Sequence, residues 1–155
     1  MANMEMKIDS MRVSKMNSQW VVMLREEGKD RYLPIWVGPA EGDALAMKLE
    51  GVSLSRPLTH DFACAAIDAL GGRLERVVID RLEDTTFYAK AIVRAKDGQK
   101  EIDCRPSDAM VMAIRAGAPI LADEEVLSKA GVVLESATES SGPPPEGMSD
   151  DQPAT

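Results

Sequence analysis

Twice along this chain, three short extended runs lead into a helix opened by proline. In the first block the runs are Met6 to Ser14, where Met6 and Ile8 alternate with Lys7 and Asp9; Trp20 to Arg25, a solid apolar stretch; and Arg31 to Val37, set off by the turn Glu27-Gly28-Lys29-Asp30. Gly38-Pro39 ends them. Proline suits a first helical position, where its missing N–H costs nothing, so a helix is expected from Pro39 to Glu50, with Gly51 as its left-handed cap. A second helix is expected from Thr59, as N-cap, to Leu70, closed by Gly71. The second block then brings Leu74 to Leu82, Thr86 to Ala95 and Gln99 to Cys104, the last two joined by the hairpin signal Asp97-Gly98. Pro106 opens a helix that stops at Gly117. A short extended piece, Pro119 to Ala122, precedes a last helix from the N-cap Asp123 to Ala130, closed by Gly131.

The order βββα, α, βββα, α, with hairpin connections dominant, predicts an α+β fold: an antiparallel-rich or mixed sheet with helices packed on it. Pro39-Ala40-Glu41 and Pro106-Ser107-Asp108 each place an acid two residues after the proline, and both helices end at glycine, so the blocks read as a diverged βββα repeat. The helix 106–116 is apolar nearly all round, from Ala109 to Ile114, which predicts burial in the monomer or at a subunit interface. Ten methionines add adaptable packing, and a homodimer or larger homo-oligomer is expected. Trp20, Trp36, Phe87 and Tyr88 fall in strands and are expected in the core.

At 155 residues and 45% hydrophobic content the chain has apolar material for one ordinary domain, placed at residues 1–134. Residues 135–155 hold Pro143-Pro144-Pro145, five acids and no Lys or Arg; such a segment buries too little to offset its ordering entropy and is expected to be a disordered acidic tail. It carries five of the eight net negative charges, so the preceding 134 residues sit at −3. That excludes duplex binding by bulk charge without excluding a local basic site. No apolar run of membrane-spanning length occurs, and Met1 to Ser10 carries charges and no apolar stretch, so neither a transmembrane helix nor a signal peptide is expected. Cys64 and Cys104 stand alone in apolar surroundings, without metal-ligand spacing, and read as buried free thiols of a reducing, cytoplasmic setting.

Polar side chains gather at three helix starts: Glu41 and Asp43, with Lys48 further along; Arg56-Pro57-Leu58-Thr59-His60-Asp61; and Arg105-Pro106-Ser107-Asp108. Free N–H groups and the positive dipole end suit a phosphate or carboxylate there, and Arg56 and Arg105 could clamp it bidentately. The same acids also satisfy helix dipoles, Thr59 and Ser107 serve as ordinary caps, and both arginines can be structural partners of those acids. His60 is the lone histidine, which excludes mechanisms needing two imidazoles and histidine-rich metal sites. It is a candidate general base or acid, aided by Asp61 or a substrate phosphate. There is no P-loop, dinucleotide-binding glycine fingerprint or nucleophile elbow, and at 4% aromatic content a stacking platform for single strands is thin.

Five segments occur in order: Leu33 to Glu41 (LPIWVGPAE), Arg56 to Asp61 (RPLTHD), Glu75 to Asp80 (ERVVID), Thr86 to Ala89 (TFYA) and Asp103 to Ala109 (DCRPSDA). Together they resemble the bifunctional nuclease domain family over roughly residues 6–131. The resemblance implies an oligomeric α+β domain and nuclease activity on RNA, DNA or both. It places the characteristic polar positions on Glu41, Arg56, Thr59, His60, Asp61, Arg105, Ser107 and Asp108. In that reading Glu41, His60, Asp61 and Asp108 are catalytic, and Arg56, Thr59, Arg105 and Ser107 bind substrate. The three carboxylates are also candidate ligands for a divalent cation such as Mg²⁺ or Mn²⁺. The chain departs from the pattern at Gly42-Asp43, where a small or apolar residue and Glu are usual, and at Cys104, where Ala is common. The contrasting reading is a non-catalytic oligomeric module whose Arg and acid residues form structural ion pairs.

Overall fold

The computed structural model describes residues 2–134; the expected acidic tail lies outside them. The elements are β1 (Asn3–Val13), β2 (Trp20–Glu26), β3 (Arg31–Val37), α1 (Pro39–Leu49), α2 (Thr59–Ala69), β4 (Arg73–Glu83), β5 (Thr86–Ala95), β6 (Gly98–Cys104), α3 (Pro106–Ala116), β7 (Ile120–Asp123), α4 (Glu124–Ala130) and β8 (Val132–Val133). One mixed sheet orders its strands β6-β5-β4-β7-β1-β2-β3-β8. The two strand triplets form antiparallel meanders, and β7 joins them, antiparallel to β1 and parallel to β4. This is the α+β class expected from the hairpin-rich pattern.

The meanders follow from alternation. In β2 and β3, Val22, Leu24, Leu33, Ile35 and Val37 point inward and are buried. At about 25 cal/mol per Å² of apolar surface removed from water, such residues supply the main drive to fold. Strand β4 carries an extra residue twice: the register shifts between Leu74 and Arg76 and again between Ile79 and Arg81, so Glu75 and Asp80 are bulge residues. β1 begins at Asn3, earlier than its alternation suggested, because Asn3 to Met6 pair with β7 far along the chain. The β5–β6 turn is Lys96-Asp97, with Gly98 already paired to Ala95.

Helices α1 and α2 each pack on α3, and α2 and α3 lie against the sheet. From Pro106 to Ala113, α3 is buried apart from Asp108, enclosed by its own chain. Its all-round apolarity is therefore satisfied inside the monomer and requires no subunit interface. Trp36 departs from expectation: β3 alternates Ile35 and Val37 inward, so Trp36 points out and is 61% exposed. Trp20 and Phe87 pack partly buried at the core edge, and Tyr88 lies under the Arg81 guanidinium. Cys64 is buried and Cys104 half-buried, and both are free. No helix among the described residues is long and apolar enough to cross a membrane.

Helix ends follow the glycines. At Gly51 (φ +70°) the N–H of Val52 bonds to Met47 O and that of Gly51 to Lys48 O, the double closure that a left-handed residue permits. Helix starts differ more from expectation. Thr59 and Ser107 are not caps: Leu58 and Arg105 occupy the N-cap positions, leaving Thr59 at the first helical position and Ser107 one residue after Pro106. Gly38 is the N-cap of α1. Among the described helices only α4 is capped by its N-cap residue's own side chain, Asp123 accepting from Glu125 N–H at 2.8 Å. Arg31 ties α4 down, donating through both terminal nitrogens to Glu124 (2.8 and 2.7 Å) and through Nε to buried Glu26 (2.7 Å).

Candidate functional site

The first turns of α1, α2 and α3 meet around a hollow of about 300 Å³ lined by Ala40, Glu41, Leu58, His60, Arg105 and Asp108, with Thr59 on its rim. Their meeting follows from topology. Each of α1 and α3 leaves the outer strand of one meander through a residue–proline junction, and the two helices pack side by side. None of the three N-termini has a side-chain cap, since Gly38, Leu58 and Arg105 offer no capping oxygen. Three positive dipole ends meet there, faced by the first-turn carboxylates Glu41 and Asp108, while the N-cap N–H of Leu58 is taken by Asp61.

His60 Nε2 lies 2.9 Å from Asp108 Oδ1, with the imidazole side chain 12% exposed. Arg105 grips the same carboxylate with Nε to Oδ2 at 2.8 Å and Nη2 to Oδ1 at 3.1 Å, and its Nη1 reaches Glu41 Oε1 at 3.1 Å. Burial pushes the Asp108 carboxyl up, but hydrogen bonds from Arg105 and His60 outweigh it and hold the group below its ordinary range, so it is ionised at neutral pH. An ionised Asp108 can only accept, so His60 Nε2 donates to it. Asp108 also raises Arg105 above its ordinary value.

Asp61 turns away from this hollow. Adjacent helical residues point about 100° apart, and Asp61 instead receives Lys48 Nζ at 2.6 Å, the Leu58 N–H at 2.9 Å and Arg115 Nε at 3.4 Å. The Lys48 bond, then the Leu58 N–H, lower its pKa against the opposing cost of burial. Arg56 is exposed and lines a neighbouring cavity with Lys48, Asp61 and Arg115, outside the hollow. Ser107 is buried and faces a third cavity on the far side of Arg105. The structure thus brings Glu41, Thr59, His60, Arg105 and Asp108 together and leaves Arg56, Asp61 and Ser107 apart from them. Arg115, which helps to fix Asp61, carried no sequence signal beyond being a cation in a helix's last turn.

Gly42-Asp43 has a structural account. The Trp20 indole crosses α1 so closely that a Cβ on Gly42 would lie 1.9 Å from its Cδ1, and Asp43 Oδ1 accepts the indole N–H at 2.9 Å. Glycine makes the crossing possible and aspartate anchors it, so Asp43 faces Trp20.

A divalent cation fits this arrangement poorly. Glu41 and Asp108 are bridged by the Arg105 guanidinium and Asp61 is held by Lys48 and Arg115. Among the described residues no three His, Cys, Asp or Glu side chains are placed to hold an ion. A larger cavity, about 720 Å³, lies elsewhere, between the ends of α2 and α3 and the start of β4. It sets Arg73, Arg94 and Arg115 against Asp68 and Glu75. Its one thiol is Cys64, which burial pushes up.

The model of the bifunctional nuclease domain matches residues 22–135. An uncharacterised protein of Mycobacterium tuberculosis is 42% identical over 130 residues, covering 84% of this chain and 77% of that protein. Bifunctional nuclease 1 of Oryza sativa (subspecies japonica) and a bifunctional nuclease of Oryza minuta are each 26% identical over 124 residues, covering 77% of this chain and 37% of those proteins.

Proposed function

Because this chain belongs to the bifunctional nuclease domain family, we propose that the hollow at its three helix starts cleaves phosphodiester bonds of RNA, DNA or both. One observation carries the reading. Three helix N-termini converge where a histidine, oriented by an ionised aspartate, stands beside an arginine. A phosphodiester needs what these groups supply: N–H donors and a guanidinium for its oxygens, and a group that moves a proton.

Arg105 Nη1 exchanges Glu41 for a phosphate oxygen, while Nε and Nη2 keep their hold on Asp108. The Arg105 side chain is 64% exposed, which gives it room for that exchange. His60 Nδ1 takes the proton from the attacking oxygen, water or a ribose 2′-hydroxyl, and Asp108 stabilises the imidazolium that forms. As the bond from phosphorus to the leaving oxygen breaks, that proton returns to the leaving oxygen from the imidazolium. No step is routed through a metal.

The contrasting module reading draws on the Lys48–Asp61–Arg115 cluster, which pins α1, α2 and α3 together and needs no substrate. A reducing, cytoplasmic setting is supported by the two free thiols. Self-association is supported by Phe62 (68% exposed) on α2 and Leu70 (85%) at its C-cap, whose burial a homodimer would bring; a monomer by light scattering at micromolar concentration contradicts that part. The activity is tested with purified protein on single- and double-stranded RNA and DNA, with and without EDTA, beside Arg105→Ala. Cleavage that persists in EDTA and drops in the variant is expected. Equal cleavage by both proteins contradicts the reading.

A further inference from the structure

Arg105 has a second side. Beyond it, away from His60, lies a hollow of about 340 Å³ lined by Trp36, Gly38, Thr86, Phe87, Arg105 and Ser107. The end of β3 and the start of β5 wall it together although they stand far apart in strand order, so the sheet curls to bring them across from each other. Asp84, in the positive-φ region at 54°, tightens the β4–β5 turn that forms its rim. Trp36 lies 61% exposed in a chain that has only two tryptophans. An indole held on a strand and open to solvent costs apolar hydration that a partner would relieve.

The geometry points to this hollow as a nucleobase subsite, with Trp36 as the stacking surface for a base of single-stranded RNA or DNA. The inference rests on the phosphodiesterase reading of the adjoining hollow. Arg105 is common to both hollows, so a nucleotide whose phosphate meets its guanidinium has one neighbour placed over Trp36. The size suits one unpaired nucleotide and not a duplex, at the small end of the roughly 300–1,000 Å³ of small-molecule sites. Charge is divided the same way: ionisable side chains gather on the His60 side, whereas among the described residues Arg105 is the only ionisable side chain lining the Trp36 side. Every base has a π-face, so the subsite favours unpaired nucleotides without demanding a sequence.

The test compares a fluorescein-labelled single-stranded oligonucleotide with one of equal length whose bases are replaced by abasic tetrahydrofuran units. Both are titrated by anisotropy against the full chain, Trp36→Leu and Trp36→Phe. Cleavage of the base-containing strand is followed in parallel. The base-containing strand is expected to bind wild type roughly 5- to 150-fold more tightly than the abasic strand, the range that base–aromatic stacking spans. Trp36→Leu loses that preference while its affinity for the abasic strand is unchanged; Trp36→Phe keeps most of it. Equal preference in wild type and Trp36→Leu overturns the subsite, as does binding of neither strand by wild type, or an equal loss for both strands in the variant. Wild type that shows the preference but cleaves nothing leaves the subsite standing and sinks the nuclease reading; cleavage with no base preference does the reverse.

Discussion

Asp61 sits next to the only histidine, yet its geometry assigns it to stability, and Asp61→Ala separates the two roles. Its side chain is 18% exposed and accepts from Lys48 Nζ at 2.6 Å and the Leu58 N–H at 2.9 Å, with Arg115 Nε 3.4 Å away. Losing the acceptor for an N-cap N–H costs about 1 kcal/mol. Losing a charge-assisted hydrogen bond costs about 1.5–3 kcal/mol, toward the low end here because Lys48, 21% exposed, can recover some water. The sum is about 2–4 kcal/mol, or a melting temperature lower by roughly 8–15 °C for a folded unit of this size. Asp61→Asn retains an acceptor for Leu58 and loses the charge, so it falls by about half as much. The assay is thermal melting followed by circular dichroism, with nuclease rate measured well below the melting range. If Asp61→Ala melts within about 2 °C of wild type while its rate collapses, Asp61 works in the chemistry and the structural assignment is refuted.

Gly42→Ala reverses the usual helix preference. Alanine would gain about 1 kcal/mol in helix propensity, but its Cβ would meet Trp20 at 1.9 Å and force the indole off Asp43. Overpacking of about 1–3 kcal/mol and a lost hydrogen bond of about 1 kcal/mol leave a net destabilisation; a raised melting temperature contradicts the crossing. Asp123→Ala removes the one side-chain cap and lowers stability by about 1 kcal/mol, measured by urea unfolding. Acid unfolding follows from the lowered carboxylates. Asp61, Asp108 and Glu26 all titrate below their ordinary values in the fold, held chiefly by Lys48, Arg105 and Arg31. Their contribution is therefore present above about pH 4, the unfolded range, and is lost as pH falls through the lowered folded values. Melting temperature should drop from pH 4 toward pH 2 and drop less in Asp61→Asn; a flat profile contradicts the ion-pair assignments.

Local chemistry made most elements legible. Alternation located the long strands, Pro39 and Pro106 the helix starts, and Gly51, Gly71 and Gly117 the helix ends, because each signal is read within a few residues of where it acts. Pairing with distant segments was not legible. The early start of β1 depends on β7, and the bulges at Glu75 and Asp80 depend on where β5 lies. The site divides along the same line. Glu41, His60, Arg105 and Asp108 could be listed from helix starts, but which side chains share a hollow depends on helix azimuth, and that sends Asp61 to Lys48 and His60 to Asp108. Trp36 was masked by composition: a tryptophan in an apolar strand suggests core, and only the phase of β3 turns it outward. Capping suggested Thr59 and Ser107, whereas both helices begin one or more residues earlier, and at α2 the side-chain acceptor is Asp61, from the third helical position.

His60→Ala tests the central claim most directly. His60 is the one histidine of the chain, and positioned acid–base groups contribute about 10²–10⁴ in rate. The measurement is the cleavage rate of single-stranded RNA by wild type and His60→Ala, purified identically, dialysed against EDTA and shown by melting to be folded at the assay temperature. A fall of at least about 100-fold is the predicted result. A folded variant that cleaves at the wild-type rate would contradict the assignment of the chemistry to this hollow.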